Sequence, residues 1–296
     1  MTKTDMDVEI SRNQGSVAGA GEVAARAPVV IEPGMGRLGL DLAEIWRYRD
    51  LLAFLTWRDV KVRYKQTVLG FLWAFLQPFT TMVVFSLVFG RLMKVDSLGT
   101  AYPVFVYAGL LPWHFFAESL ARSSQSVVAS SNIVTKVYFP RLVIPLASVG
   151  GCLVDFAVSF LILVGLMLYY GLAPGAGMLV VIPLVAVTII AALGVGTLLS
   201  ALNVAYRDFR YVLPFIVQIW MFLTPVVYPL RAVPADWRWL AMLNPMSGIV
   251  EAYRSAILGR PFAWGDLGVS VAVSVFVFLL AVVVFKRIER RFADII

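Results

Sequence analysis

Residues 142–205 decide the fold: LVIPLASVGGCLVDFAVSFLILVGLMLYY (142–170), GLAPG (171–175), AG (176–177) and MLVVIPLVAVTIIAALGVGTLLSALNVA (178–205). A single charge, Asp155, stands in the whole stretch. A bilayer core of ~30 Å takes roughly 20 apolar residues as a helix, so each long run makes one crossing. Gly171-Leu172-Ala173-Pro174-Gly175 separates them, because glycine and proline favour a tight turn over a continuing helix. The two runs form a transmembrane hairpin.

Working outward, four more runs have this character. Residues 67–90 and 211–228 carry no charge, 267–285 closes the series, and 102–128 is apolar until Glu118 and Arg122. The fold expected is therefore all-α and integral to the membrane, with six transmembrane helices at about 67–90, 102–128, 142–170, 178–205, 211–228 and 267–285. Composition agrees: 60% of the residues are hydrophobic and only 15% charged, against about 25% charged in soluble domains. Mean hydropathy is +0.84. His114 is the only histidine and Cys152 the only cysteine, so a multi-His metal site and an intrachain disulfide are both excluded.

Residues 1–40 are Gly, Ala and Ser rich with scattered charges. No continuous apolar segment follows the start, so they read as a disordered cytoplasmic tail and not as a signal peptide. Order begins at Asp41, three residues before Glu44, a variant of the capping box. Residues 41–296 are expected to form one transmembrane domain. Leu42, Ile45, Trp46, Leu52 and Leu55 alternate with Arg47, Arg49 and Asp50, which suits a helix lying in the membrane interface. The stretch Arg58-Asp59-Val60-Lys61-Val62-Arg63-Tyr64-Lys65 that follows is too charged to enter hydrocarbon.

Lysine and arginine in the connections set the orientation. With both ends inside, the inner connections hold Arg47, Arg49, the 58–65 stretch, Lys136, Arg141, Arg207, Arg210 and Lys286 to Arg291. The outer ones hold Arg91, Lys94, Arg231, Arg238, Arg254 and Arg260, fewer than half as many. The net charge of +7 is thus a topological signal, and nucleic acid is not an expected partner. The outer connection 229–266 contains two apolar stretches broken by Asn244-Pro245, each too short to span. Two short re-entrant helices are expected there, since non-helical backbone at membrane depth needs cover from protein or water.

Three segments together resemble a known family. They are Arg58 through Trp73 continuing to Gln77-Pro78, Asn132-Ile133-Val134-Thr135-Lys136-Val137-Tyr138-Phe139-Pro140-Arg141, and Leu243-Asn244-Pro245-Met246 with Glu251-Ala252-Tyr253-Arg254 soon after. In order and spacing they are similar to the membrane subunits of ABC transporters of the ABC-2 type that export lipid-linked polysaccharides such as O-antigen, teichoic acid or capsule. The resemblance runs from about Asp41 to Arg291. It implies a homodimer of this chain in the bacterial inner membrane, carried on two copies of a separate nucleotide-binding ATPase, with membrane lipids and lipid-linked polysaccharide as further partners. One feature of the residues points the same way: no glycine is followed by lysine, so a phosphate-binding loop of the GxxxxGK[ST] type is missing from this sequence. ATP and Mg are expected on the partner, and no cofactor on this chain.

The resemblance also suggests roles for particular residues. It makes Asn132, Lys136, Val137, Tyr138, Phe139 and Pro140 an ATPase-coupling helix, with Tyr138 and Phe139 as apolar anchors and Lys136 as a rim charge. The plain alternative is a turn between spans. Arg58 and Arg63 either touch the ATPase or anionic headgroups, or simply flank the first span as the positive-inside rule requires. Phe71, Phe75 and Phe79 form a stripe at helical spacing, and Trp113, Phe116, Trp220 and Tyr228 are further aromatics. Membrane-interface packing is the default reading for them; lining a conduit along which apolar sugar faces slide is the alternative. Asn244, Pro245, Glu251 and Arg254 read either as an outer gate or as a local structure in which Glu251 and Arg254 neutralise each other at i and i+3.

Asp155 stands near the middle of the third span, where a charge costs about 2.5–3.5 kcal/mol. Ala147 and Gly151 share its face, so it should point at a packed helix. Arg122 is its expected partner, in a structural ion pair. Ala192, Gly196 and Ser200 make a close-packing face in the fourth span. The function expected is a channel-forming permease that does no covalent chemistry. An ABC-2 type exporter of drugs or small lipids is the nearest alternative. An ion-coupled secondary transporter would show internal repeats and more intramembrane charge than Asp155. A membrane glycosyltransferase or hydrolase would need paired carboxylates or a metal site.

Overall fold

The computed structural model describes residues 42–65, 71–97, 99–134, 136, 138–206 and 208–289. The expected tail at 1–40 lies outside the described residues, as do Thr135, Val137 and the side chain of Phe71. Among the described residues every regular element is helical.

The helices are α1 (Leu42–Arg47), α2 (Arg49–Lys65), α3 (Phe71–Phe85), α4 (Tyr102–Ala129), α5 (Ser131–Val134), α6 (Val143–Tyr169), α7 (Val181–Ala205), α8 (Phe209–Leu223), α9 (Ala235–Leu243), α10 (Pro245–Leu258) and α11 (Trp264–Glu289). Among the described residues five helical stretches are long and apolar enough to cross a membrane: Leu72–Leu92, Tyr102–Ala129, Val143–Tyr169, Ala176–Ala205 and Trp264–Glu289. The first passes from α3 into a π-helical stretch, Ser86–Leu92. The fourth begins with a 3-10 turn, Ala176–Val180, ahead of α7.

The expected span at 211–228 is shorter in the structure. Helix α8 ends at Leu223, and 15 residues rise only about 22 Å. The cause is local. A residue before proline is pushed out of the α region, and Thr224, before Pro225, is extended with ψ 139°. The two short helices expected between the last spans are present as α9 and α10. Asn244 caps α10, accepting from the Met246 amide at 3.0 Å, and Pro245 sits at the first helical position, where no N–H is needed.

Helix α4 is the centre of the bundle, packed against α3, α6, α7, α8 and α10. Helix α11 lies along α7, and α10 is held by α4, α7 and α11. The small-residue face expected in the fourth span does let helices approach closely. A Cβ on Gly196 would stand 2.8 Å from Ser123 of α4. Two residues earlier, on nearly the opposite side of the helix, a Cβ on Gly194 would meet the backbone of Phe278 in α11 at 2.9 Å. The close approach of α4 and of α11 to α7 therefore depends on missing side chains.

Helix α2 is packed on the bundle. Its second half runs alongside α6: Thr56 stands against Gly150 and donates to the Ala147 carbonyl at 3.4 Å, and Asp59 and Val60 stand against Gly151. The basic stretch 58–65 is therefore part of a helix that follows α6 as far as Asp155. Of its four cations, Arg63 pairs with Asp155 and Arg58 with Asp59, while Lys61 and Lys65 are exposed.

Candidate functional site

Among the described residues three apolar clusters fill the interior, the smallest of them around Phe115, Val149, Cys152 and Leu193, and the other two mark its ends. The first joins α2, the end of α4, the segment 130–142, the start of α6 and the ends of α7 and α11, through Leu55, Val127, Phe139, Val143, Val204 and Phe285. The second fills the rest of the bundle around α4 and α10, including Phe105, Tyr107, Phe116, Met246 and Tyr253. Each end carries a different set of polar groups.

At the α2 end, the segment expected to couple to an ATPase contains one helical turn, Ser131–Val134. Asn132 and Lys136 are exposed. The expected pair of anchors is divided. Tyr138 is 66% exposed and free to meet a partner, whereas Phe139 is 4% exposed and sits in the chain's own core beside Leu142 and Phe285. Phe139 is thus an internal anchor of this chain. Arg141 closes the segment, donating from its Nη1 to the Glu289 carbonyl at 2.8 Å at the end of α11.

The expected Arg122–Asp155 pair does not form. Asp155 pairs with Arg63 and accepts from the Tyr64 hydroxyl, both on α2. Arg122 pairs with Glu118, one turn away on α4, with Nε to Oε1 at 2.6 Å. The face of Asp155 was legible from Ala147 and Gly151, but the helix packed on that face is α2. Spacing along one helix gives a direction and not the identity of the neighbour. Arg58, by contrast, binds its sequence neighbour Asp59 at 2.8 Å.

These charges border a cavity of about 470 Å³ between α2, α3, α4, α6 and α8. Arg63 and Tyr64, Trp73 and Gln77, Glu118 and Arg122, and Asp155 line it, with Gln125, His114, Phe115 and Phe156. Helical spacing places them together: Trp73 and Gln77 lie at i and i+4, and so do Glu118 and Arg122, with Gln125 three further on. The aromatics expected to line a conduit lie elsewhere. Trp113 and Phe116 are buried, and the ring of Trp220 stands edge-on to both, with centroids at 6.4 and 5.2 Å. They are core because α4 is enclosed on nearly every side. Phe75 and Phe79 stack on each other at 5.4 Å. Tyr228 donates to the Phe222 carbonyl at 3.1 Å.

At the opposite end, the four residues expected as an outer gate face inward. Arg254 is 1% exposed. Its guanidinium donates to the carbonyls of Pro225 at 2.7 Å, Val226 at 2.5 Å, Tyr228 at 3.1 Å and Phe105 at 3.4 Å, and lies 3.9 Å from the Phe105 ring centroid. Glu251 pairs with it at 3.4 Å, as the i and i+3 spacing suggests. Burial pushes the Arg254 pKa down to about 10 and Glu251 opposes the shift, so the group stays charged at neutral pH. Asn244 accepts from the Trp220 indole at 3.0 Å and donates to Thr224 at 2.8 Å. Carbonyls of the non-helical chain beyond α8, at Pro225, Val226 and Tyr228, are thus satisfied by one buried cation. Nothing in the local sequence marks that role; it appears only when residues 105, 225–228 and 254 meet.

A bundle with five helices of crossing length, one shorter apolar helix and two short helices between the last two is a multi-pass membrane protein. Residues 50–258 match the ABC-2 type transporter family, and the chain belongs to that family. It is 31% identical over 254 residues to the O-antigen export system permease protein RfbA of Myxococcus xanthus, covering 85% of this chain and 97% of the relative. A protein of the same name from Klebsiella pneumoniae is 29% identical over 248 residues, covering 83% of this chain and 95% of that one. The polysialic acid transport protein KpsM of Escherichia coli is 23% identical over 206 residues, 68% of this chain and 78% of the relative.

Proposed function

We propose that the chain is the channel-forming permease subunit of an ATP-driven exporter that moves a lipid-linked polysaccharide from the cytoplasm to the outer face of the bacterial inner membrane. The observation that carries this reading is the match along nearly the whole length of relatives named for O-antigen export. A relative named for polysialic acid transport extends the likeness to a second polysaccharide. The lysine and arginine bias puts the α2 end in the cytoplasm. Tyr138, Lys136 and Asn132, exposed at that end, then form the contact with the ATPase. Two copies of the ATPase and a second copy of this chain complete the assembly. Exposed apolar faces on α3 (Leu72, Phe75, Val84) and α8 (Phe215, Ile219, Phe222) supply surface for the second copy or for lipid.

The chain itself performs no covalent step in this reading. It encloses the path, and nucleotide-driven closure of the ATPase pair reaches it through the segment 130–141. The test is genetic. Deleting the gene should abolish surface polysaccharide and leave polymer inside the cell, and resupplying the chain should restore it. Unchanged surface polymer in the deletion, with loss instead of resistance to a drug or of a surface lipid, would move the assignment to a small-molecule exporter of the same family.

A further inference from the structure

The cavity beside α2 has an unusual balance. Its two cations are each closed by a carboxylate, Arg63 by Asp155 and Arg122 by Glu118, so the four charges cancel. An incoming phosphate would have to displace a carboxylate from a guanidinium, and an incoming amine the reverse. Hydrogen-bonding capacity nevertheless remains. Carboxylates and guanidinium groups hold more acceptor and donor positions than one pair uses. The Arg63 Nε and His114 Nε2 atoms are buried without a hydrogen-bond partner among the described residues. Gln77 and Gln125, both exposed, add an amide each at the wall. Such capacity disfavours a lipid tail, since buried polar groups left unpaired are expensive.

Apolar ring surface lies in the same space. Trp73, 54% exposed, lines it, and the packed rings of Phe115 and Phe156 form part of its wall. A neutral ring with hydroxyls around its edge and C–H groups on its faces uses both features at once. At about 470 Å³ the cavity falls in the range that takes a small organic ligand. We infer that this cavity is a binding subsite for a neutral pyranose unit of the transported polymer. It rests on the export reading and deepens it, because it places the first sugar contact at the α2 end, on residues other than the conduit aromatics expected from the sequence.

The experiment uses the complete exporter in cells that make the polymer. A small diazirine-bearing residue replaces Ala121, which lines the cavity, and in a control replaces Leu161, which is 70% exposed on the outside of α6. After illumination, adducts on the purified chain are probed for glycan. The expected result is a periodate-sensitive glycan adduct at 121 and none at 161. Trp73→Ala, or the milder Gln125→Ala at the exposed mouth, should lower its yield about tenfold at equal chain level. Export with no glycan adduct at 121 overturns the inference, as do adducts made only of phospholipid or of a second copy of the chain. An adduct carrying lipid phosphate without sugar also overturns it, in favour of an anion site. Surface polymer that does not depend on this chain at all removes the export reading instead, and the two failures are separately visible.

Discussion

The two ends of the molecule hold charge in different ways. At the α2 end the ion pairs are partly open: the side chains of Arg63 and Asp155 are 16% and 23% exposed, and Arg141 and Glu289 are similar. They join separate helices, α2 to α6 and the segment 130–141 to α11. At the other end Arg254 is fully enclosed and binds mostly backbone carbonyls. An ion pair near water can break and reform at small cost. A buried cation holding four carbonyls cannot let go without stranding them all. In the proposed exporter, the pliable end is the one that receives motion, and the locked end fixes the short α8–α10 region against the spans.

Breaking the locked end should give the largest effect. Arg254→Met removes the cation and leaves the carbonyls of residues 225, 226 and 228 unpaired, a loss of about 3–5 kcal/mol. Thermal unfolding of the purified chain should move down sharply, and Arg254→Lys should not restore it, since one ammonium cannot span the same fork. Phe139→Ala comes next: emptying a site in the core of the α2 end should cost about 3–5 kcal/mol, with chain level falling in membranes. Smaller again is Asp155→Asn, which weakens the charge pairing of Arg63 by about 2 kcal/mol. A double-mutant cycle should show coupling between Asp155 and Arg63 and none between Asp155 and Arg122. Export by Asp155→Asn should not become dependent on the proton gradient.

Smallest in stability is Tyr138→Ala. Its exposed ring contributes little to the fold, so unfolding should shift by no more than about 0.5 kcal/mol. Stimulation of the partner's ATP hydrolysis by substrate should nevertheless fall. Phe139→Ala and Tyr138→Ala thus separate folding from coupling at adjacent positions. Equal loss of chain level in both would erase the distinction.

Most of the fold was legible because lipid imposes long apolar runs. Residues 142–170 and 178–205 could hardly be anything but a hairpin, and the structure gives Val143–Tyr169 and Ala176–Ala205. The end of α8 was harder, since Pro225 stops a run that remains apolar through Tyr228. Pairing of charges was only half legible. Glu251–Arg254 follows from spacing within one helix and forms, whereas Arg122, expected on Asp155, pairs instead with Glu118 one turn away. Asp155 meets Arg63 across helices 92 positions apart in the chain, and no local pattern carries that contact. Two of the aromatics were hard to place for a related reason: Trp113 and Phe116 look alike in sequence whether they face a conduit or a core, and within this chain the enclosure of α4 buries both. The cavity went unseen because its walls come from five helices.

The central claim is that this chain forms a path whose energy comes from another polypeptide through the α2 end. The direct measurement reconstitutes the purified chain in vesicles with lipid-linked polymer and ATP, with and without the partner ATPase. The account predicts nucleotide hydrolysis and polymer translocation only when both proteins are present, and loss of translocation with Tyr138→Ala. Hydrolysis or translocation by the chain alone would contradict it.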